Sequence, residues 1–333
     1  MLNRTLKFGM LLGGILVHTE LYADCKVSSG HHILTATTPS ITLAEQGELS
    51  TQFSAGLSCS GLGAGNKTYL KYQVSRLPLK FVNEAATDSL KVVYLDTNKQ
   101  LVTLGEEVDM SGFSLINFFS GPDGAVPFYL KIPAGQSVAP GRYVSESLFE
   151  VRWFYSVPAL SIGGLGFFHS SPGFRRPSLI TSIDWGTGES STVSLMIDVL
   201  PDCRISVNDV NLGTSAFVDR FEPIITSMGV RCSAKTAYSV SLNNGTYPQN
   251  GNQRAMKSSS GNNFMKYEIY KNPGMNRWGS GSESWSSAQA SINPDQYDGR
   301  IQQGYSFTTK ILPNQPNLPA GTYSDTVTVQ VEF

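Results

Sequence analysis

The chain has 333 residues, room for two domains of ordinary size, and a formal net charge of −1. Charged residues make up only 15%, no basic run occurs, and Gly, Ser, Asn and Thr are common. That balance argues against a nucleic-acid partner and for an exported all-β protein rather than a cytosolic enzyme.

The first 23 residues read as a secretory leader. Arg4 and Lys7 form its positive region, 8–17 its apolar run, and Leu21-Tyr22-Ala23 a cleavage site. The apolar run is too short to span a bilayer. The mature chain is expected to start at Asp24, with a first domain over 24–200 and a second over 201–333.

Cys25 and Cys59 fall in the first half, Cys203 and Cys232 in the second. Zinc ligands come in closely spaced pairs, and no such pair occurs. In an exported protein the expectation is two disulfides, Cys25–Cys59 and Cys203–Cys232. Each would contribute about 3–4 kcal/mol on the chain-entropy view.

Short alternating runs follow one another between Gly, Pro and Asn: 69–75, 90–94, 128–132, 143–155 and 193–199. No long 3.6-residue period appears. This pattern predicts antiparallel, immunoglobulin-like β-sandwiches. The halves follow one plan. Cys25-Lys26-Val27-Ser28 opens the first and Cys203-Arg204-Ile205-Ser206 the second. Pro140-Gly141-Arg142-Tyr143 leads into a strand over 143–155, and Pro319-Ala320-Gly321-Thr322-Tyr323 into one over 323–333. After the first copy comes one more alternating strand, 191–200, with Val193, Leu195, Ile197 and Val199 on one face. The second copy has no such successor. The second sandwich is therefore expected to lack its last strand and to offer a groove along Tyr323, Val327, Val329, Val331 and Phe333. A strand from another protein would fill it.

The opening Cys203-Arg204-Ile205-Ser206, the run Tyr267-Glu268-Ile269-Tyr270, the turn Trp278-Gly279-Ser280-Gly281 and the closing 319–329 resemble the spore coat protein U domain family. The likeness is strong over 202–333 and weaker over 24–200. It implies a subunit of an archaic chaperone–usher pilus. In that family a periplasmic chaperone lends a strand during secretion, and the next subunit's N-terminal extension replaces it after the outer-membrane usher. With Asp24 one residue before Cys25, no donor extension is expected, which implies a subunit at the pilus tip. Two-domain tip subunits of the family are adhesins.

Three segments of the first domain would then face away from the fibre: 60–66, 113–121 and 156–190. Each mixes apolar residues with glycine, unlike an ordinary solvated loop. The expected surface-binding residues are Leu62 and Ala64, then Leu115, Ile116, Phe118 and Phe119, then Val157, Leu160, Ile162, Leu165, Phe167 and Phe168. They suit a hydrophobic or host surface, and with it biofilm formation. Two alternatives stand beside this reading. One is a glycan site near Trp185 and Asp184. The other is a non-adhesive cap that only initiates assembly. For an enzyme there is no H-E-x-x-H, no G-x-S-x-G and no phosphate-binding glycine loop. His31-His32 is weak as a metal site, and no cofactor is expected.

Overall fold

The computed structural model describes residues 24–60, 62–64, 66–85, 87–113, 118–162 and 165–333. The expected leader, 1–23, lies outside them, as do Leu115 and Ile116. Among the described residues no helix is long and apolar enough to cross a membrane.

The first sandwich begins with β1 (Cys25–Val27), β2 (Gly30–Pro39), α1 (Ser40–Gln46), β3 (Glu48–Cys59), β4 (Leu62–Ala64) and β5 (Tyr69–Arg76). Four short strands follow: β6 (Lys80–Asn83), β7 (Ser89–Lys91), β8 (Val93–Leu95) and β9 (Glu107–Asp109). It closes with β10 (Ala125–Ile132), β11 (Gly141–Ser145), β12 (Phe149–Ile162), β13 (Leu165–Ser170) and β14 (Glu189–Leu200). One sheet runs β1-β3-β10-β8, and the other is built on β7-β6-β11-β14-β12-β5-β9. Period-2 alternation drives the packing. Leu70, Tyr72 and Val74 of β5 point inward with Phe128 of β10 and Phe149, Val151 and Trp153 of β12. In β14, Val193, Leu195, Ile197 and Val199 are all at most 2% exposed, so this strand plugs the core. It pairs antiparallel with β11 and β12 and parallel with β2.

The second sandwich comprises β15 (Cys203–Val207), β16 (Ile224–Cys232), β17 (Ser239–Leu242), β18 (Ala255–Ser258), β19 (Phe264–Lys271), β20 (Asn276–Arg277), β21 (Trp285–Ser286), β22 (Gln303–Ile311), β23 (Tyr323–Ser324) and β24 (Val329–Glu332). One sheet is ordered β15-β16-β22-β19-β18-β23, the other β21-β17-β24. Trp278, Trp285, Tyr305 and Phe307 pack together at its centre. Both expected disulfides are formed, each joining the first strand of a sandwich to the strand beside it.

Three local features differ from the sequence reading. The first strand of the first sandwich is split, β1 in one sheet and β2 in the other. Each long strand after the Pro–Gly turns is split too, into β11 and β12 at a bend over 146–147, and into β23 and β24, which pair in different sheets. Helix α1 is seven residues long, too short for a helical period to register in sequence.

Polar contacts join the sandwiches where β14 ends. The Ile41 amide, at the start of α1, donates to Asp202 Oδ1 (2.8 Å). Arg204 donates to Thr42 Oγ1 (3.0 Å), Ser137 to the Asp298 carbonyl (2.6 Å) and Arg300 to the Gly135 carbonyl (2.7 Å). Arg231 pairs with Glu45, and Lys235 with Asp88.

Candidate functional site

Strand β12 does not stop where the sandwich stops. It runs on to Ile162, turns back as β13, and takes β4 along its other edge in parallel. Leu62, Ala64, Leu160, Ile162 and Leu165 therefore lie on a three-stranded ribbon, with Leu160 opposite Leu62 and Ile162 opposite both Ala64 and Leu165. The segment expected as a loop from 156 is a β-hairpin. An extra residue at Ala159, between the Pro158–Phe168 and Leu160–Phe167 pairs, makes a bulge at its base.

Val157 is a correction: it is fully buried. It continues the inward series 149, 151, 153, 155 of β12, so the strand alternation keeps it in the core. Phe167 and Phe168 part ways for the same reason. Phe167 is 77% exposed, while Phe168 is half-buried with the Arg176 guanidinium 3.8 Å from its ring centre. Phe118 and Phe119 are also half-buried and pack against the first core, Phe118 lying over Gly112. The exposed aromatic of that segment is Phe113, at 78%.

Two exposed aliphatic residues escaped the sequence reading. Leu179 and Ile180 are fully exposed at the tip of a turn closed by the Ser178 amide to the Thr181 carbonyl (3.0 Å) and by the two hydroxyls (2.7 Å). The usable signal was the Ser/Thr bracket around an aliphatic pair just after Pro177. Ribbon, turn and Phe113 share one end of the molecule. Tyr69 pairs with Ser156 and Thr68 with Gly112, whereas β14 runs from Glu189, opposite Trp153, down to Leu200 at the far end.

Tyr69, Phe174 and Trp185 form a cluster with centroids 5.4–6.4 Å apart, Trp185 meeting the other two rings edge-on. The Lys71 ammonium sits 4.7 Å from the Trp185 ring, so the indole is already engaged by its own chain. Burial holds the Arg176 guanidinium below its ordinary pKa. Among the described residues no group of three or more His, Cys, Asp or Glu converges as a metal site.

The second sandwich presents a groove instead. Strand β24 pairs with β17 along one edge; among the described residues no strand lies along the other. Tyr323, Val327, Val329 and Val331 are half-buried, and Phe333 is 56% exposed. A cavity of about 360 Å³ is lined by Tyr323, Val327 and Val329 of this set. Val207, Val210, Leu212, Met228, Trp278 and Phe307 complete its apolar lining. At one end the Tyr267 hydroxyl donates to Asp325 Oδ2 (2.7 Å), and burial raises the pKa of that phenol. Below lies a buried ionic network. Arg254, fully buried, pairs with Glu268 and donates to the carbonyls of Asn243 and Trp278. Glu268 also accepts from Arg277 (2.8 Å).

The spore coat protein U domain profile matches residues 189–330. Among solved structures, the crystal structure of the CsuC–CsuE chaperone–tip adhesion subunit pre-assembly complex from archaic chaperone–usher Csu pili of Acinetobacter baumannii matches at 52% identity. That match has a TM-score of 0.77 and covers 93% of this chain and 100% of that one. The CupB6 tip adhesin from Pseudomonas aeruginosa aligns over 94% of this chain and 95% of its own at 10% identity; its TM-score of 0.33 carries no argument. No curated protein sequence matches the chain significantly. An open-grooved second sandwich, and identity above one half over an entire two-domain relative, give the same answer: the chain belongs to the spore coat protein U domain family, as a two-domain subunit of the archaic chaperone–usher pilus type.

Proposed function

We propose that the chain is exported by cleavage after residue 23, that residues 24–200 are an adhesin domain, and that residues 201–333 are the pilin domain joining it to a fibre. In this reading the groove beside β24 takes a strand first from a periplasmic chaperone and, after the outer-membrane usher, from the next pilus subunit. The complex formed by the 52%-identical relative supports the chaperone step. Unpaired backbone along β24 and half-buried valines supply the hydrogen bonds and apolar area that an added strand needs. Export through the periplasm leaves the chain on the cell surface at the pilus tip.

The adhesive reading is carried by one observation: Phe113, Phe167, Leu179 and Ile180 stand exposed at the end remote from the groove domain. A soluble domain rarely displays so many large apolar side chains at one end unless they meet something. Their chemistry fits attachment to hydrophobic abiotic or host surfaces, and with it biofilm growth. The test is attachment to polystyrene by piliated cells carrying Phe113→Ser, Phe167→Ser and Leu179→Ser together, with pili counted by microscopy. Normal pili with lost attachment are expected. Normal pili with normal attachment would leave the chain as a cap.

A further inference from the structure

The β12–β13 hairpin reaches past the sandwich, and a ribbon so short is marginal without support. Much of the side-chain contact at its base comes from one residue of the returning segment. Arg176 donates to the Ser156 carbonyl (3.2 Å) and to Ser156 Oγ (2.8 Å) on β12, and to the Lys67 carbonyl (2.5 Å) just before β5. Its guanidinium stacks between Phe168 of β13 (3.8 Å) and Tyr69 of β5 (4.8 Å). Ser170 of β13 donates to the same Ser156 hydroxyl (2.9 Å). One planar fork thus gathers the base of the ribbon. Phe167 and Phe168 are successive strand residues and must point to opposite faces. Whatever holds Phe168 therefore decides where Phe167 looks.

We propose that Arg176 is the positioning residue of the adhesive end: by clamping Phe168 against Ser156 and Tyr69, it turns the hairpin so that Phe167 faces solvent. The inference rests on the reading of that end as adhesive. Charge-assisted bonds to two carbonyls and a hydroxyl, together with ring stacking, use the planar guanidinium fully. Lysine keeps the charge but has neither the fork nor the flat face, so it does not substitute.

The test uses the full chain purified with its assembly chaperone, and piliated cells alongside. In Arg176→Ala and Arg176→Lys, hydrogen exchange of the 165–170 amides should accelerate by about tenfold or more, with exchange in β10 and β14 unchanged, because only a local opening is affected. Attachment should fall several-fold at normal pilus number. Faster hairpin exchange with full attachment would support the clamp and overturn the adhesive role of the hairpin. Unchanged exchange would overturn the inference itself. If either variant fails to assemble, Phe168→Leu and Ser156→Ala each remove one arm of the clamp and are read by the same exchange: acceleration supports the inference, and none overturns it.

Discussion

The two sandwiches are the same construction with and without a plug. Tyr143 and Tyr323 mark equivalent points: each hydroxyl donates to the carbonyl four residues back, Ala139 at 2.7 Å and Pro319 at 2.9 Å. Counting on from them, Phe149, Val151 and Trp153 correspond to Val329, Val331 and Phe333. The first three are fully buried; the others are half-buried, half-buried and 56% exposed. What differs is β14, which lies beside β12 and opposes Phe149 with Val193. Burial in these sheets is a property of the neighbouring strand as much as of the residue. A valine in an identical alternation is core or docking surface according to what lies beside it.

Breaking the plug should have the largest effect. Leu195→Asp puts a charge at a fully buried site of β14 and should destabilise the first sandwich by more than about 4 kcal/mol. Urea unfolding followed by fluorescence reads this, and a loss below 1 kcal/mol would mean that β14 is not the plug. Next comes a device that, among the described residues, only the second sandwich shows, its buried ionic network. Glu268→Gln leaves buried Arg254 without its carboxylate, while Arg277 keeps Glu283, and should cost about 3–5 kcal/mol in the same assay.

The comparison sharpens with one substitution made in both places. Val151→Ala should cost about 2 kcal/mol, through lost burial plus a residual cavity. Val331→Ala should cost less than half of that in the chain alone, and should approach it when a strand fills the groove. Equal costs without a donor would show that the groove is already closed. The smallest effect concerns the joint between the sandwiches. Burial pushes the Asp88 carboxyl up, but hydrogen bonds from Lys235 and the Ala139 amide, with the ammonium's charge, outweigh it and hold the pKa below the ordinary 3.8. A depressed carboxylate stabilises above its unfolded pKa, and that contribution is lost as pH falls through the folded value. Asp88→Asn should thus differ slightly from the parent above pH 3.8 and converge with it in more acidic solution. A difference that grows on acidification would refute the assignment.

Period-2 alternation, the cysteine placement and the repeated Pro–Gly–Tyr passage determined the fold class, both disulfides and the unplugged second half, because each is a local or self-comparing signal. The same alternation, followed past Tyr155, would have put Val157 in the core. Tertiary structure alone decided the rest. Nothing local tells a glycine-rich apolar stretch to become a hairpin when its pairing strand, β4, lies about a hundred residues upstream. Nor does sequence say which of Phe167 and Phe168 is exposed: that depends on Arg176 arriving from a later turn. The exposure of Leu179 and Ile180 likewise follows from a turn with nothing packed over it. Strand pairing and side-chain stacking between distant segments set those outcomes, and they exist only once the chain has closed on itself.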